Sequence, residues 1–195
     1  MVGRFPGYVA GVLYRTGPGA YKIDSPGSKS GVFAVGHWFD GFTTTHKFNL
    51  QRGADGSCDK VSYSSFMQVG KLMSTAKETG RIGAGISFGQ RDPCDSLFRK
   101  VKSSFAPQGS RDPLFSNVGV VLRETLPVEA ASIDEQKRVG RRLITITTDT
   151  ITAKHIDADT LEPLSVTTQA TIHPRLTGQM SAAHVSSTNE AYTSQ

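Results

Sequence analysis

The segment that most restricts the fold runs from Thr43 to Phe66. In "TTTHKFNLQ" the side chains of His46, Phe48 and Leu50 recur at every second residue, the period of a strand with one covered face. "RGADGS" (52–57) follows and carries Asp55-Gly56, a pair that closes tight hairpins because it tolerates the positive φ angles such turns need. "KVSYSSF" then returns as the partner strand. A hairpin of this kind places the chain among mainly β folds.

The pattern extends on both sides. "GVLYRTGPGAY" reads as a short apolar strand ending in a Gly-Pro-Gly turn, and "GVFAVGHWF" as a second strand. Residues 8 to 66 are therefore predicted to be a meander of antiparallel strands. Further on, "SNVGVVL" and "RRLITITTD" alternate or run apolar, and "ITAKHID" is expected to pair with "LEPLSVT" through the turn "DADT" (157–160). Short strands at regular spacing fit a sandwich, a barrel or a propeller.

The period changes in the middle of the chain. Val69, Leu72, Met73 and Ala76 fall at i, i+3, i+4 and i+7, which predicts a helix closed by Gly80. Leu97, Phe98, Val101 and Phe105 repeat that spacing behind Asp95 or Ser96 as N-cap. "GISFGQRDPC" between them reads as a loop, so residues 66–106 form a helical insertion. Residues 127–141 read as an exposed loop and 185–195 as an irregular tail.

With 195 residues the chain is long enough for one domain with a core. No apolar run approaches the ~20 residues that span a bilayer, and "MVGRFPGYVAGVLYRTG" lacks a signal-peptide core. A soluble, cytoplasmic protein is expected. Cys58 and Cys94 are too few for a disulfide framework. The net charge of +5 is concentrated in "FRKVKSSF" (98–105) and "QKRVGRR" (136–142). Solvated surfaces account for these clusters, with peripheral contact to an anionic membrane or to phosphates as the alternative. No aromatic residues interleave with them as a base-stacking surface requires, so no nucleic-acid partner is expected.

Familiar catalytic motifs are missing from the sequence. There is no G-x-S-x-G, P-loop or G-x-G-x-x-G, and the Gly-rich "GRIGAGISFG" (80–89) lacks the Lys-Ser/Thr ending of a phosphate loop. Asp134 and Glu135 sit in the exposed loop and read as solvated.

Six blocks in order resemble the carotenoid cleavage oxygenases, most closely their fungal torulene or apocarotenoid dioxygenase branch. "YVAGVLYRTGPGAYKI" resembles that family's opening strand, and "HWFDGFTTTHKFNL" its H-W-F-D-G block. "ISFGQRDPCDSLFRKVKSSF" is similar to the fungal helical insertion. "NVGVVL" and "ITTDTITAKHIDADTLEPL" resemble later blade strands, and "HPRLTGQMSAAHV" the segment carrying the first metal ligand. The resemblance implies the first blades of a seven-bladed β-propeller with inserted helices. It also implies Fe(II) held by four histidines from four blades, and cleavage of a carotenoid or apocarotenoid double bond by O2 into two carbonyl products. Neutral imidazoles suit Fe(II) and leave positions open for O2.

Of that ligand set the resemblance places His184, in "SAAHV", in this chain, and the other three beyond Gln195. One imidazole lacks the geometry that fixes a metal, so the chain is expected to be an N-terminal fragment, inactive alone. A non-catalytic remnant or a lipid- or partner-binding module is the alternative. An anion-binding protein using the two basic clusters is a further one. The remaining histidines read as structural. His37 and His46 flank Asp40-Gly41, taken as the turn of a strand–turn–strand in the first blade. His155 is expected at the surface or in sheet packing. His173 is held extended by Pro174.

Overall fold

The computed structural model describes residues 5–82, 112–124, 141–149 and 151–172. The second expected helix, most of the 127–141 loop, the tail, Cys94, His173 and His184 lie outside those residues.

Two antiparallel sheets form the body of the described structure. The first has the order β1-β4-β5, built from Gly11–Ala20, Phe42–Arg52 and Cys58–Met67. The second has the order β6-β7-β8-β9, from Val121–Arg123, Leu143–Thr147, Thr152–Asp157 and Pro163–Thr168. A separate hairpin, β2 (Lys22–Asp24) with β3 (Val32–Ala34), is inserted between β1 and β4. Helix α1 (Gly70–Thr79) follows β5, and a short helix α2 (Gln169–Ile172) follows β9.

The hairpin predicted from Thr43 to Phe66 is present. His46, Phe48 and Leu50 pair with Ser65, Tyr63 and Val61, and Asp55 Oδ1 accepts hydrogen bonds from Ser57 N and Oγ to hold the turn. The pairing of 152–157 with 163–168 is also as expected. So is α1, whose last turn ends on Gly80 at φ 66°, a left-handed position that glycine adopts without penalty. Buried Ser25 donates its hydroxyl to the carbonyls of Ala76 and Lys77 at 3.0 and 2.8 Å, serving helix-end acceptors that would otherwise lack a partner.

Three local expectations are corrected. Gly17-Pro18-Gly19 is no turn: β1 runs through it to Ala20, and the register slips between Pro18 and Ala20. The extra residue makes a bulge, and proline is tolerated because β1 is an edge of its sheet. A Cβ on Gly19 would collide with the Thr44 side chain, which explains the small residue there. "GVFAVGHWF" is not one strand. β3 ends at Ala34, and Trp38–Asp40 forms a 3-10 turn in which His37 Nδ1 accepts from Phe39 N at 3.2 Å. Finally, residues 8–66 are not a simple meander, because β4 returns to pair with β1 across the inserted β2–β3 hairpin.

The main core lies where the two sheets face each other. Ile144, Ile146, Ile156, Val118 and Leu161 are buried there, with Tyr14 and Phe66 of the first sheet packed against them. Each fully buried aliphatic side chain stabilises the fold by roughly 1.5–3 kcal/mol. Polar ties fasten the same interface. Tyr14 Oη donates to the Ala158 carbonyl at 2.9 Å, as does Lys47 Nζ at 2.9 Å. A second core, around Phe42, Val69 and Ala76, seats α1 against the β2–β3 hairpin through Ile23 and Phe33. No helix among the described residues is long and apolar enough to cross a membrane.

Candidate functional site

Two features of the described structure hold chemistry-bearing side chains. The first is an open groove of about 690 Å³ at one end of the first sheet, lined by Arg15, Tyr21, Trp38, His46, Phe48 and Tyr63 among others. Alternation along β1, β4 and β5 brings Arg15, His46, Phe48 and Tyr63 to one face. The 3-10 turn supplies the wall: Trp38 stacks on Tyr21 with ring centroids 4.1 Å apart. Across the floor, His46 Nδ1 lies 2.7 Å from Tyr63 Oη, and Phe48 packs on the Tyr63 ring. The groove offers aromatic surface with one guanidinium, of Arg15, and one imidazole, of His46, among its lining side chains.

The second feature is a buried polar layer along β8. Residues Ala153 to Asp157 are buried on both faces of this central strand. Lys154 points toward the first sheet, where its Nζ donates to the Gln68 carbonyl at 3.1 Å. Gln68 Nε2 donates to the Leu161 carbonyl at 2.8 Å, and its buried Oε1 has no hydrogen-bond partner among the described residues. Burial pushes the Lys154 amine down to about 7, opposed in part by the charge of Asp112. On the other face, His155 bridges two threonines, with Nδ1 3.0 Å from Thr145 Oγ1 and Nε2 2.9 Å from Thr167 Oγ1. Burial pushes its imidazole down to about 4, so it is neutral at physiological pH. Of the two places expected for His155, the surface or sheet packing, the structure shows the second: it is fully buried within the sheet.

The described histidines do not make an iron site. His37 is exposed and caps the 3-10 turn; His46 faces the groove beside Tyr63; both ring nitrogens of His155 are engaged by threonine hydroxyls. Among the described residues no group of three or more His, Cys, Asp or Glu side chains converges. His184, the ligand the resemblance points to, lies outside the described residues.

The basic cluster at 136–142 is visible only at its end. Arg141 pairs with Asp157 at 3.5 Å, and Arg142 pairs with Asp159 at 3.2 Å. Lys47, and then Arg142, hold the Asp159 carboxyl below the usual carboxylate range. These two arginines are engaged within the fold rather than held out for an anion.

Sequence reasoning missed two residues that organise the region. Asn117 fixes the H-W-F-D-G block: its Oδ1 accepts from Thr43 N and Oγ1 at 3.0 and 2.7 Å, and its Nδ2 donates to the Asp40 and Gly41 carbonyls. Nothing local in "SNVGVVL" marks that role. Lys154 was hidden because a lysine set between Ala153 and His155 in "TAKHID" looks like the solvent side of an alternating strand.

Comparison with known proteins adds the wider frame. The family model described as retinal pigment epithelial membrane protein (RPE65) matches residues 1–193. A carotenoid dioxygenase of Neurospora crassa is 37% identical over 94% of the chain and 33% of its own length. A torulene dioxygenase of Gibberella fujikuroi is 35% identical over 93% of the chain and 32% of its own length. The chain thus spans about a third of the curated relatives it matches. Among solved structures, an ACO/RPE65 chimera and a Synechocystis apocarotenoid oxygenase each superpose with TM-score 0.52 at 16% identity, over 85% of this chain and 27% of theirs. That likeness identifies the two packed sheets as part of a β-propeller.

Proposed function

The chain belongs to the retinal pigment epithelial membrane protein (RPE65) family of carotenoid oxygenases, and from that premise we propose that it forms the opening blades of an iron-dependent dioxygenase. The whole enzyme would cleave a conjugated double bond of a carotenoid or apocarotenoid with O2. His184 would be one ligand of the Fe(II), and the other ligands would come from outside this chain. Residues 66–106 would be a helical insertion, 127–141 an exposed loop and 185–195 an irregular tail. On this reading the 195 residues alone are inactive.

The observation that carries the reading is the extent of the match to fungal carotenoid-cleaving relatives, 35–37% identity along 93–94% of the chain. The described residues have a scaffold's role in it. The neutral His155 layer and the isoleucine core hold two sheets together, and neither offers a reacting group to substrate. No reaction step is assigned to these residues, because the described histidines do not fit a metal.

The test is metal content and oxygen-dependent cleavage in two preparations. The isolated chain loaded anaerobically with Fe(II) is expected to hold well under one iron per chain and to leave β-carotene intact. Co-expressed with the remaining two-thirds of the Neurospora crassa relative, it is expected to gain iron and cleave β-carotene, and His184→Ala is expected to abolish both. Stoichiometric iron and turnover in the isolated chain would sink the incomplete-site reading. Iron and turnover unaffected by His184→Ala would remove that residue as a ligand.

A second reading, a non-catalytic module that binds a lipid or an apolar partner, is favoured by the exposed aromatic groove. Tight binding of a carotenoid by the isolated chain, quenching Trp38, would support it.

A further inference from the structure

The tyrosines among the described residues, Tyr8, Tyr14, Tyr21 and Tyr63, differ in what their hydroxyls meet. Tyr14 Oη donates to the Ala158 carbonyl at 2.9 Å and Tyr21 Oη to the Pro18 carbonyl at 3.3 Å. A carbonyl oxygen holds a phenol in place but does not take its proton. Tyr8 is the most exposed of them, at 83%, against 56% for Tyr63. Among these described tyrosines, only Tyr63 has a hydroxyl bonded to a base: its Oη lies 2.7 Å from His46 Nδ1.

The hairpin pairing builds that contact. Phe48 stands directly opposite Tyr63 and His46 opposite Ser65, so His46 and Tyr63 are diagonal neighbours on one face of the sheet. Their rings lie within 18° of parallel, and the Phe48 ring packs on the phenol with centroids 5.0 Å apart. The phenol is therefore held on both sides while its oxygen stays open to the groove. With Tyr63 as donor, the neutral imidazole carries its own proton on Nε2 and presents Nδ1 as acceptor. A separation of 2.7 Å is inside the roughly 2.6–3.2 Å over which a positioned base takes a proton. Arg15 stands directly across from His46 on β1, and the Trp38–Tyr21 stack forms the neighbouring wall. No carboxylate lines the groove among the described residues.

We infer that Tyr63 is a nucleophilic phenol activated by His46, in a groove that takes an electrophile with an aromatic body and an anionic leaving group. A nucleophile and a base within hydrogen-bond reach are the signature of such a site. In the step, Tyr63 Oη bonds to the electrophilic atom and the leaving group departs with its bonding pair. The phenol proton passes to His46 Nδ1. No oxidant, reductant or metal enters. The rings of Phe48 and Trp38 carry the aromatic body, and the Arg15 guanidinium supplies charge opposite to the departing anion. The inference stands apart from the iron reading, because neither Tyr63 nor His46 belongs to the proposed ligand set.

The probe is benzenesulfonyl fluoride, whose sulfur bonds to Oη as the S–F bond breaks and fluoride leaves. Peptide mass spectrometry follows labelling of each tyrosine in the folded 195-residue chain. Tyr63 is expected to be labelled about 100-fold faster than Tyr8, the low end of what a positioned base contributes. Exposure alone would favour Tyr8, so the ratio reads activation rather than access. His46→Gln keeps a side chain that hydrogen-bonds but cannot take the proton. In that variant, with circular dichroism unchanged, Tyr63 is expected to fall to the rate of Tyr8. Urea unfolding of the unaltered chain is expected to erase the difference as well, which keeps the test decisive if the variant does not fold. Equal labelling of Tyr8 and Tyr63 in the folded chain would overturn the inference. So would an undiminished Tyr63 rate in folded His46→Gln, or label carried by His46 in place of Tyr63. Each of those results leaves the iron reading as it stands.

Discussion

The Nζ of Lys154 lies 3.1 Å from the backbone carbonyl oxygen of Gln68, and neither residue is exposed to solvent. The contact joins β8 to the segment between β5 and α1, so a charged group sits inside the principal sheet–sheet interface. Buried charge is costly even when paired. With its amine pushed down to about 7 from 10.5, Lys154 opposes folding most strongly at and below neutral pH.

The sign follows from proton counts. Between about 7 and 10.5 the unfolded chain holds a proton on Lys154 that the folded chain has lost, so stability rises with pH across that window and is flat with respect to this group below it. Lys154→Met keeps the length of the side chain and removes the charge. It is expected to stabilise the protein at pH 7 by roughly 1–3 kcal/mol and to flatten the alkaline rise. Urea unfolding of both proteins from pH 7 to 10 checks this; an equal rise in both would show that Lys154 is not its source.

His155 gives the opposite flank. Its folded value of about 4 lies below the ordinary 6.5, so stability is present in full above 6.5 and is lost as pH falls toward 4. Shifts of this size correspond to roughly 3 kcal/mol. His155→Asn, which can still donate and accept, is expected to lower stability at pH 7 by about 1–3 kcal/mol through lost packing. It should also remove most of the acid-dependent loss between 6.5 and 4. An unchanged acid limb in the variant would assign that limb to other groups.

Asn117 has four polar contacts to the segment Asp40–Thr43, and Trp38 is the one tryptophan in the chain. Asn117→Ala leaves the amide and hydroxyl of Thr43 without that acceptor. The expected cost is about 2–3 kcal/mol. The expected signature is local: Trp38 emission and its stacking on Tyr21 should change before global unfolding. Coincident transitions by tryptophan fluorescence and far-ultraviolet circular dichroism in the variant would argue against a local clamp.

What was legible in the sequence was what depends on local periodicity. The His46-Phe48-Leu50 alternation, the Asp55-Gly56 turn and the Val69–Ala76 helix each carry their own signal, and each is present. Gly17-Pro18-Gly19 misled because the same residues serve a turn and an edge-strand bulge; the pairing of Pro18 with Thr43, far along the chain, decides between them. The Trp38–Asp40 turn misled because apolar aromatics were read as strand, when Trp38 and Phe39 remain largely exposed. Lys154 and Asn117 were invisible for a related reason. Their roles exist only once β8 and the Asn117 segment meet residues some seventy to ninety positions earlier.

Leu161 follows the 158–160 turn at φ 65°, the one non-glycine residue among those described with a positive φ. Its backbone is held there on both sides: its N–H donates to the Asp157 carbonyl at 2.9 Å and its own carbonyl accepts from Gln68 Nε2. Its side chain meanwhile fills the main core. Leucine at a left-handed position carries a strain of roughly 1–2 kcal/mol, offset by burial. Two truncations separate these effects. Leu161→Ala loses the core packing and keeps the strain, whereas Leu161→Gly loses slightly more packing and releases the strain. The expected order of stability is therefore leucine, then glycine, then alanine, with the last two differing by about 0.5–1 kcal/mol, the reverse of their order in most core sites. Denaturant midpoints of the three proteins measure it. Alanine more stable than glycine would mean that the turn relaxes out of the left-handed region once the leucine is gone, and that packing alone, not the fixed hydrogen bonds to Asp157 and Gln68, holds the residue there.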